Sequence, residues 1–127
     1  MSEVVFLDTT GDTTHYLANQ LEVENFDCGV VEITGKINNS IKKTKRLFLC
    51  SDICKTMFVN NIKLPVIRQL IRSNSGIIQQ FNNIIWIKVM RPNISSIRLY
   101  ITDEYGQTIA VGESWLQCSL RFISARK

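Results

Sequence analysis

The feature that most constrains this chain is a two-residue alternation near its carboxyl end. Ile97, Leu99 and Ile101 fall on one side of an extended backbone, with Arg98, Tyr100 and Thr102 on the other. After Asp103-Glu104-Tyr105-Gly106-Gln107 the pattern resumes, with Leu116, Cys118, Leu120 and Phe122 against Gln117, Ser119 and Arg121. Side chains alternate across a strand, so this spacing predicts two half-buried strands and excludes an amphipathic helix, whose apolar residues recur every three or four positions. The polar cluster between them predicts a solvated turn, with Gly106 suited to a left-handed backbone.

Similar segments run along the chain. Val4-Val5-Phe6-Leu7 is a short β-forming run, closed by the turn-rich cluster from Asp8 to Asp12. His15 to Val23 fits a helical turn or a strand equally well. Phe26 to Ile33 alternates, placing Phe26, Cys28, Val30 and Glu32 on one face and Asp27, Gly29, Val31 and Ile33 on the other. The polar, basic stretch from Gly35 to Arg46 predicts a surface loop leading into Leu47-Phe48-Leu49-Cys50, a run typical of a buried strand. Lys63 to Arg72 contains Pro65 and admits either a short helix or a strand; we favour the strand. Ile77 to Phe81 and Ile84 to Met90 are rich in branched and aromatic residues. The second of these puts Ile85, Ile87 and Val89 on one face until Arg91-Pro92-Asn93 breaks the run.

Short strands separated by turn clusters predict an all-β fold with little or no helix: a single antiparallel β-sandwich, jelly-roll-like, over residues 1–127. At 127 residues the chain suffices for one core, and no apolar run approaches the roughly 20 residues of a membrane span. The opening residues MSEVVFLDTTGD are acidic and lack an apolar block, which predicts an intracellular protein of cytoplasm or nucleus, or one carried within a particle. Without secretion the Asn-x-Ser sequons at Asn38 and Asn93 carry no meaning.

Chemistry is sparse. The only histidine is His15, and no G-x-S-x-G or phosphate-cradling glycine loop occurs. Asp103 and Glu104 are adjacent, and successive strand residues face opposite ways, so they make a poor acid/base pair. Cys50 and Cys54 are the closest of four cysteines, but a zinc site needs a second pair or histidines. Reduced, buried thiols are the expectation, with no enzyme activity, metal or cofactor.

Charge is lopsided. Residues 1–35 hold seven acids and no lysine or arginine; residues 36–127 hold all fifteen basic residues and four acids. Pairing between subunits or within the chain explains this more simply than nucleic-acid binding. The alternative function is a small basic nucleic-acid-binding module using Lys36, Lys42, Lys43, Lys45 and Arg46, whose clustered cations suit phosphates. Exposed rings for stacking would come from Tyr100, Tyr105 and Trp86, although Trp86 and Trp115 suit a core or interface better.

Three stretches carry a family resemblance. FDCGVVEI (Phe26 to Ile33), LFLCSDICKTMFVNNIKLPVIRQL (Leu47 to Leu70) and ISSIRLYITDEYGQTIAVGESWLQCSLRFI (Ile94 to Ile123) occur in that order along nearly the whole chain. They resemble segments of a virion-associated structural protein family encoded by Polinton/Maverick-type DNA elements and their adintovirus relatives. Phe26 stands where that family often has tryptophan, and Thr34-Gly35 replaces its usual aromatic-proline. The resemblance implies a non-enzymatic, oligomerising β-sandwich subunit of a capsid or virus-like particle, viral or host-domesticated. Its partners would be copies of itself and other virion proteins, with no membrane. Arg98, Tyr100, Arg121 and Trp86 are the interface candidates, since Tyr, Trp and Arg are favoured at protein contacts.

Overall fold

The computed structural model describes residues 2–7, 12–35, 46–59, 61–70, 77–80, 83–109 and 116–124. These residues form β1 (Ser2–Leu7), β2 (Asp12–Glu22), β3 (Phe26–Gly35), β4 (Leu47–Ser51), β5 (Met57–Val59), β6 (Ile62–Leu64), β7 (Val66–Leu70), β8 (Ile77–Gln80), β9 (Ile87–Lys88), β10 (Asn93–Thr102) and β11 (Leu116–Ser124). Among the described residues there is no helix, and every strand pairing is antiparallel. The fold is all-β. The segment from His15, open between helix and strand by pattern, lies in β2, and Pro65 splits the Lys63–Arg72 segment into β6 and β7. Proline has no N–H for a ladder, but its carbonyl accepts from Ser51 N at 3.0 Å.

One sheet has the order β1-β11-β3-β8, with β9 also paired to β3; a second has the order β2-β10-β4-β7; β5 and β6 pair alone. Setting aside β5, β6 and β9, the first strand pairs with the last, the second with the second-to-last, the third with β8 and the fourth with β7. Two further pairings, β3 with β11 and β4 with β10, join these four pairs into the two sheets.

Both sheets feed one buried cluster. Cys28, Val30 and Ile33 of β3 and Cys118, Leu120 and Phe122 of β11 meet Leu47, Leu49, Ile67, Leu70, Ile94, Ile97, Leu99 and Ile101 of the second sheet. The alternation of β10 and β11 therefore sorts residues as its period requires, each buried aliphatic side chain contributing about 1.5–3 kcal/mol. A second cluster lies on the outer face of the second sheet. There Phe48, Cys50 and Val66 pack with Leu64, and Val59, Ile62 and Tyr100 lie against them.

Four expectations are corrected. The alternation predicts Ile33 on the face opposite Cys28 and Val30, yet all three are buried. The register of β3 on β11 shifts between Ser119 and Leu120, pairing Glu32 and Val30 with consecutive residues, so Val31 is inserted and the alternation resets. Ile84 to Met90 does not run as one strand; only Ile87–Lys88 and a bridge at Val89 are extended, and Ile85 is exposed. Val89 N donates to Phe26 O and Met90 N to Ile53 O, which clamps the end of the segment, while its start crosses Gly29. Thr102, expected outside, is buried, with its hydroxyl 3.9 Å from Cys50 Sγ. Asp103 is likewise buried; its carboxylate accepts from Tyr105 N and Gln107 N, both at 2.9 Å, and organises the turn in which Gly106 has φ 82°. The predicted turn at Asp8–Gly11, the loop over residues 36–45 and the end of Lys63–Arg72 lie outside the described residues.

Gly29 leaves no room for a side chain. A Cβ there would collide with Ile84 Cγ2 and approach Ile85 O and Trp86 Cε3 to 3.2 Å. Gly29→Ala is expected to cost about 1–3 kcal/mol by overpacking and to shift Trp86 fluorescence as residues 84–86 are displaced. Denaturant titration with emission spectra checks both, and an unchanged midpoint and spectrum would show that the segment does not rest on β3.

Candidate interaction surface

The outer face of the second sheet is polar where the β5–β6 hairpin does not cover it. In the β2–β10 register, Asp12 sits opposite Tyr100 and Thr14 opposite Arg98, so Asp12 is diagonal to Arg98. The arginine uses that diagonal. Its Nε donates to Asp12 Oδ1 at 2.9 Å and an Nη to Oδ2 at 2.7 Å, the two-pronged geometry that suits guanidinium and carboxylate. Its guanidinium carbon also lies 4.5 Å from the centre of the Tyr100 ring. Arg98 N donates to Asp52 Oδ1 at 3.0 Å, and Asp52 pairs with Arg91 at 3.4 Å.

Charge follows this geometry. The hydrogen bond from Arg98 holds the Asp12 carboxyl below its ordinary range, against opposing desolvation, and Asp12 in turn raises the Arg98 guanidinium. Burial pushes the Tyr100 hydroxyl up, because its ring joins the second cluster. Arg98 and Tyr100, expected at an interface, are thus already engaged within the chain and present a locked, half-exposed cation and ring edge.

Arg121 and Trp86 lie elsewhere. Arg121 is exposed on β11, opposite Ser2 of β1 on one side and Gly29 of β3 on the other, and directly opposed residues share a face. Trp86 is half-buried beside Gly29. The four interface candidates therefore divide, two on the outer face of each sheet. Of the basic loop, Arg46 is exposed just before β4, whereas Lys36, Lys42, Lys43 and Lys45 lie outside the described residues.

The cysteines are buried and unpaired with one another as disulfides. Cys50 and Cys54 belong to different clusters, so their short spacing does not make a two-ligand unit. Burial raises the Cys118 thiol to about 12 and the Cys50 thiol to about 11, the latter opposed by Thr102. Cys28 is raised by a hydrogen bond with Cys54 and by burial. Among the described residues, no three His, Cys, Asp or Glu side chains converge as metal ligands.

Two features escaped the sequence reading. Met57 and Phe58 of β5 are exposed apolar neighbours, Phe58 at 73%. Two short apolar runs flanking Asn60-Asn61 were the available sign of this hairpin, and Asn61 has the left-handed φ of 67° such a turn favours. Grooves also run along the junction of β2, β3 and β10. One of about 440 Å³ is lined by Glu22, Glu24, Phe26, Pro92 and Asn93. Its neighbour of about 240 Å³ adds Asn25 and Lys88 to Arg91. No family model, no curated protein and no solved structure matches the chain.

The Asp12–Arg98 pair is half-exposed, with side-chain exposures of 32% and 45%, so solvent screening limits it. A double-mutant cycle of Asp12→Asn and Arg98→Lys is expected to give a coupling of about 0.2–1 kcal/mol. Because the folded carboxyl is depressed, that contribution is present at neutral pH and lost as pH falls below the ordinary carboxylate range. A coupling that persists unchanged at acid pH would contradict the pairing. The thiols give the opposite sign. Their folded pKa values exceed the ordinary 9.0, so stability is expected to decline as pH rises from about 9 toward about 12. At pH 8 a thiol reagent should react with none of the four until the protein is unfolded; rapid labelling of native protein would show open thiols.

Proposed function

We infer that this chain is a non-enzymatic structural subunit of a virus-type particle, with a jelly-roll sandwich as its building block. The carrying observation is the strand pairing. Pairing of first with last, second with second-to-last, third with sixth and fourth with fifth among eight main strands, joined by β3–β11 and β4–β10, supports a jelly-roll ribbon. Viral capsid domains share that architecture with lectins and cupins, so the fold alone does not choose among them. Two features favour the particle subunit. The chain resembles, in three ordered stretches, a virion-associated family of Polinton-type elements. Its exposed apolar side chains, Tyr16, Phe58 and Tyr105 among them, offer outward surfaces for contacts between copies.

This role needs surfaces, not convergent catalytic groups, and a basic remainder with an acidic amino segment supplies charges of both signs for contacts between copies. Its place is within an assembling particle in the cytoplasm or nucleus of a host cell, alone or with other virion proteins.

Negative-stain images of purified protein, concentrated at low and at physiological salt, test this reading. Discrete closed or regularly repeating assemblies are expected. A protein that stays monomeric under all these conditions, alone and with co-expressed products of neighbouring genes, would overturn it.

A further inference from the structure

The β5–β6 hairpin divides its residues sharply. Val59, Ile62 and Leu64 turn onto the second cluster; Met57, opposite Leu64, lies on that same hairpin face at its edge, whereas Phe58 points away from it and is 73% exposed. Exposed Lys63 lies directly opposite Phe58 in the hairpin register, and exposed Lys55 precedes it by three residues. The result is an apolar projection with a basic flank. A hairpin held by its own small cluster presents such a projection rigidly, which lowers the entropic cost of a contact.

The groove of about 440 Å³ is its chemical complement. Half-buried Phe26 and exposed Pro92 supply an apolar lining, and Glu22 and Glu24, both exposed, supply carboxylates at the rim. Backbone structure fixes its walls, since Val23 N donates to Pro92 O at 2.8 Å and Phe26 N to Val23 O at 3.0 Å. Val23 between the two glutamates is fully buried, which anchors the strand end that carries them.

We propose that the Glu22–Glu24 groove of one copy receives Phe58 from a second copy of this chain. Lys55 and Lys63 then face Glu22 and Glu24 across the contact. The inference rests on the structural-subunit reading and names the surfaces that join the subunits. Charge complementarity selects the occupant: the basic apolar projection and the acidic apolar groove belong to the same molecule. Aromatic anchors in pockets carry much of the energy of protein contacts, with charged rims setting partner choice. A standard interface takes about 800 Å² from each partner, roughly a tenth of this chain's 7742 Å², so the projection is the anchor of a wider contact. Because projection and groove are different patches, the contact closes around a symmetry axis or propagates as a filament.

Sedimentation over a range of concentrations tests the pairing with two surface double variants. In Lys55→Glu/Lys63→Glu both projection and groove are acidic; in Glu22→Lys/Glu24→Lys both are basic. Each alone is expected to self-associate at least tenfold more weakly than the parent protein, and an equimolar mixture is expected to associate again. Phe58→Ser alone should associate at least tenfold more weakly; its intact acidic groove should still take the projection of Glu22→Lys/Glu24→Lys but not the acidic one of Lys55→Glu/Lys63→Glu. Circular dichroism and melting temperature confirm that the variants are folded. If the parent protein associates but the variants match it, or the mixture stays monomeric, the docking is overturned while the structural-subunit reading stands. If the parent protein itself never associates, both fall.

Discussion

Everything in this molecule depends on one apolar layer shared by two sheets. Neither sheet buries its inner face alone: Cys118, Leu120 and Phe122 need Ile97, Leu99 and Ile101 opposite, and the reverse. Strands β3 and β11 of one sheet and β4 and β10 of the other are the centre of this arrangement, because each is paired on both edges. The edge strands β1, β2, β7 and β8 hang on those four, and the outer faces are then free to vary. One outer face acquires the β5–β6 hairpin and a second small core; the other is crossed near Gly29 by the segment entering β9. Surfaces for contact arise on these additions and at the strand ends, not in the shared layer.

How much of this could be read beforehand follows from which interactions are local. The two-residue period of β10, β11 and the uninterrupted run of β4 reports burial directly, so the all-β class and most of the core were legible. Inside-or-outside was lost wherever a partner strand changed the count. Nothing in Phe26 to Ile33 itself marks Val31 as an inserted residue; the bulge exists only against β11. Thr102 and Asp103 look like surface residues because their chemistry is polar, but the hairpin cluster and the turn's own backbone N–H groups satisfy them in the interior. Burial of a polar group that finds its partners costs little, and sequence pattern does not display the partners.

The interaction surface was less legible for a related reason. Alternation separates inward from outward side chains but is silent about which sheet an outward residue belongs to. Arg98 and Tyr100 proved to share one outer face, Arg121 and Trp86 the other. The Asp12–Arg98 pair spans 86 positions of sequence and depends on the β2–β10 register, including its irregularity between Ile94 and Ser96. A cation that looked available for a partner is thereby engaged at home. The basic projection of the hairpin, built from residues with no motif of their own, takes that role in the proposed assembly.

The central claim is the strand pairing that lets two sheets share one layer, and cross-strand nuclear Overhauser contacts measure it directly. The account predicts backbone contacts between Arg121 and Gly29 and between Tyr100 and Cys50, which report the two pairings that join the ribbon into sheets. It also predicts contacts between Arg98 and Thr14 and between Val5 and Cys118, which report the outer pairs. Contacts placing β10 beside β11 in one sheet, with the Arg121–Gly29 and Tyr100–Cys50 contacts absent, would contradict it.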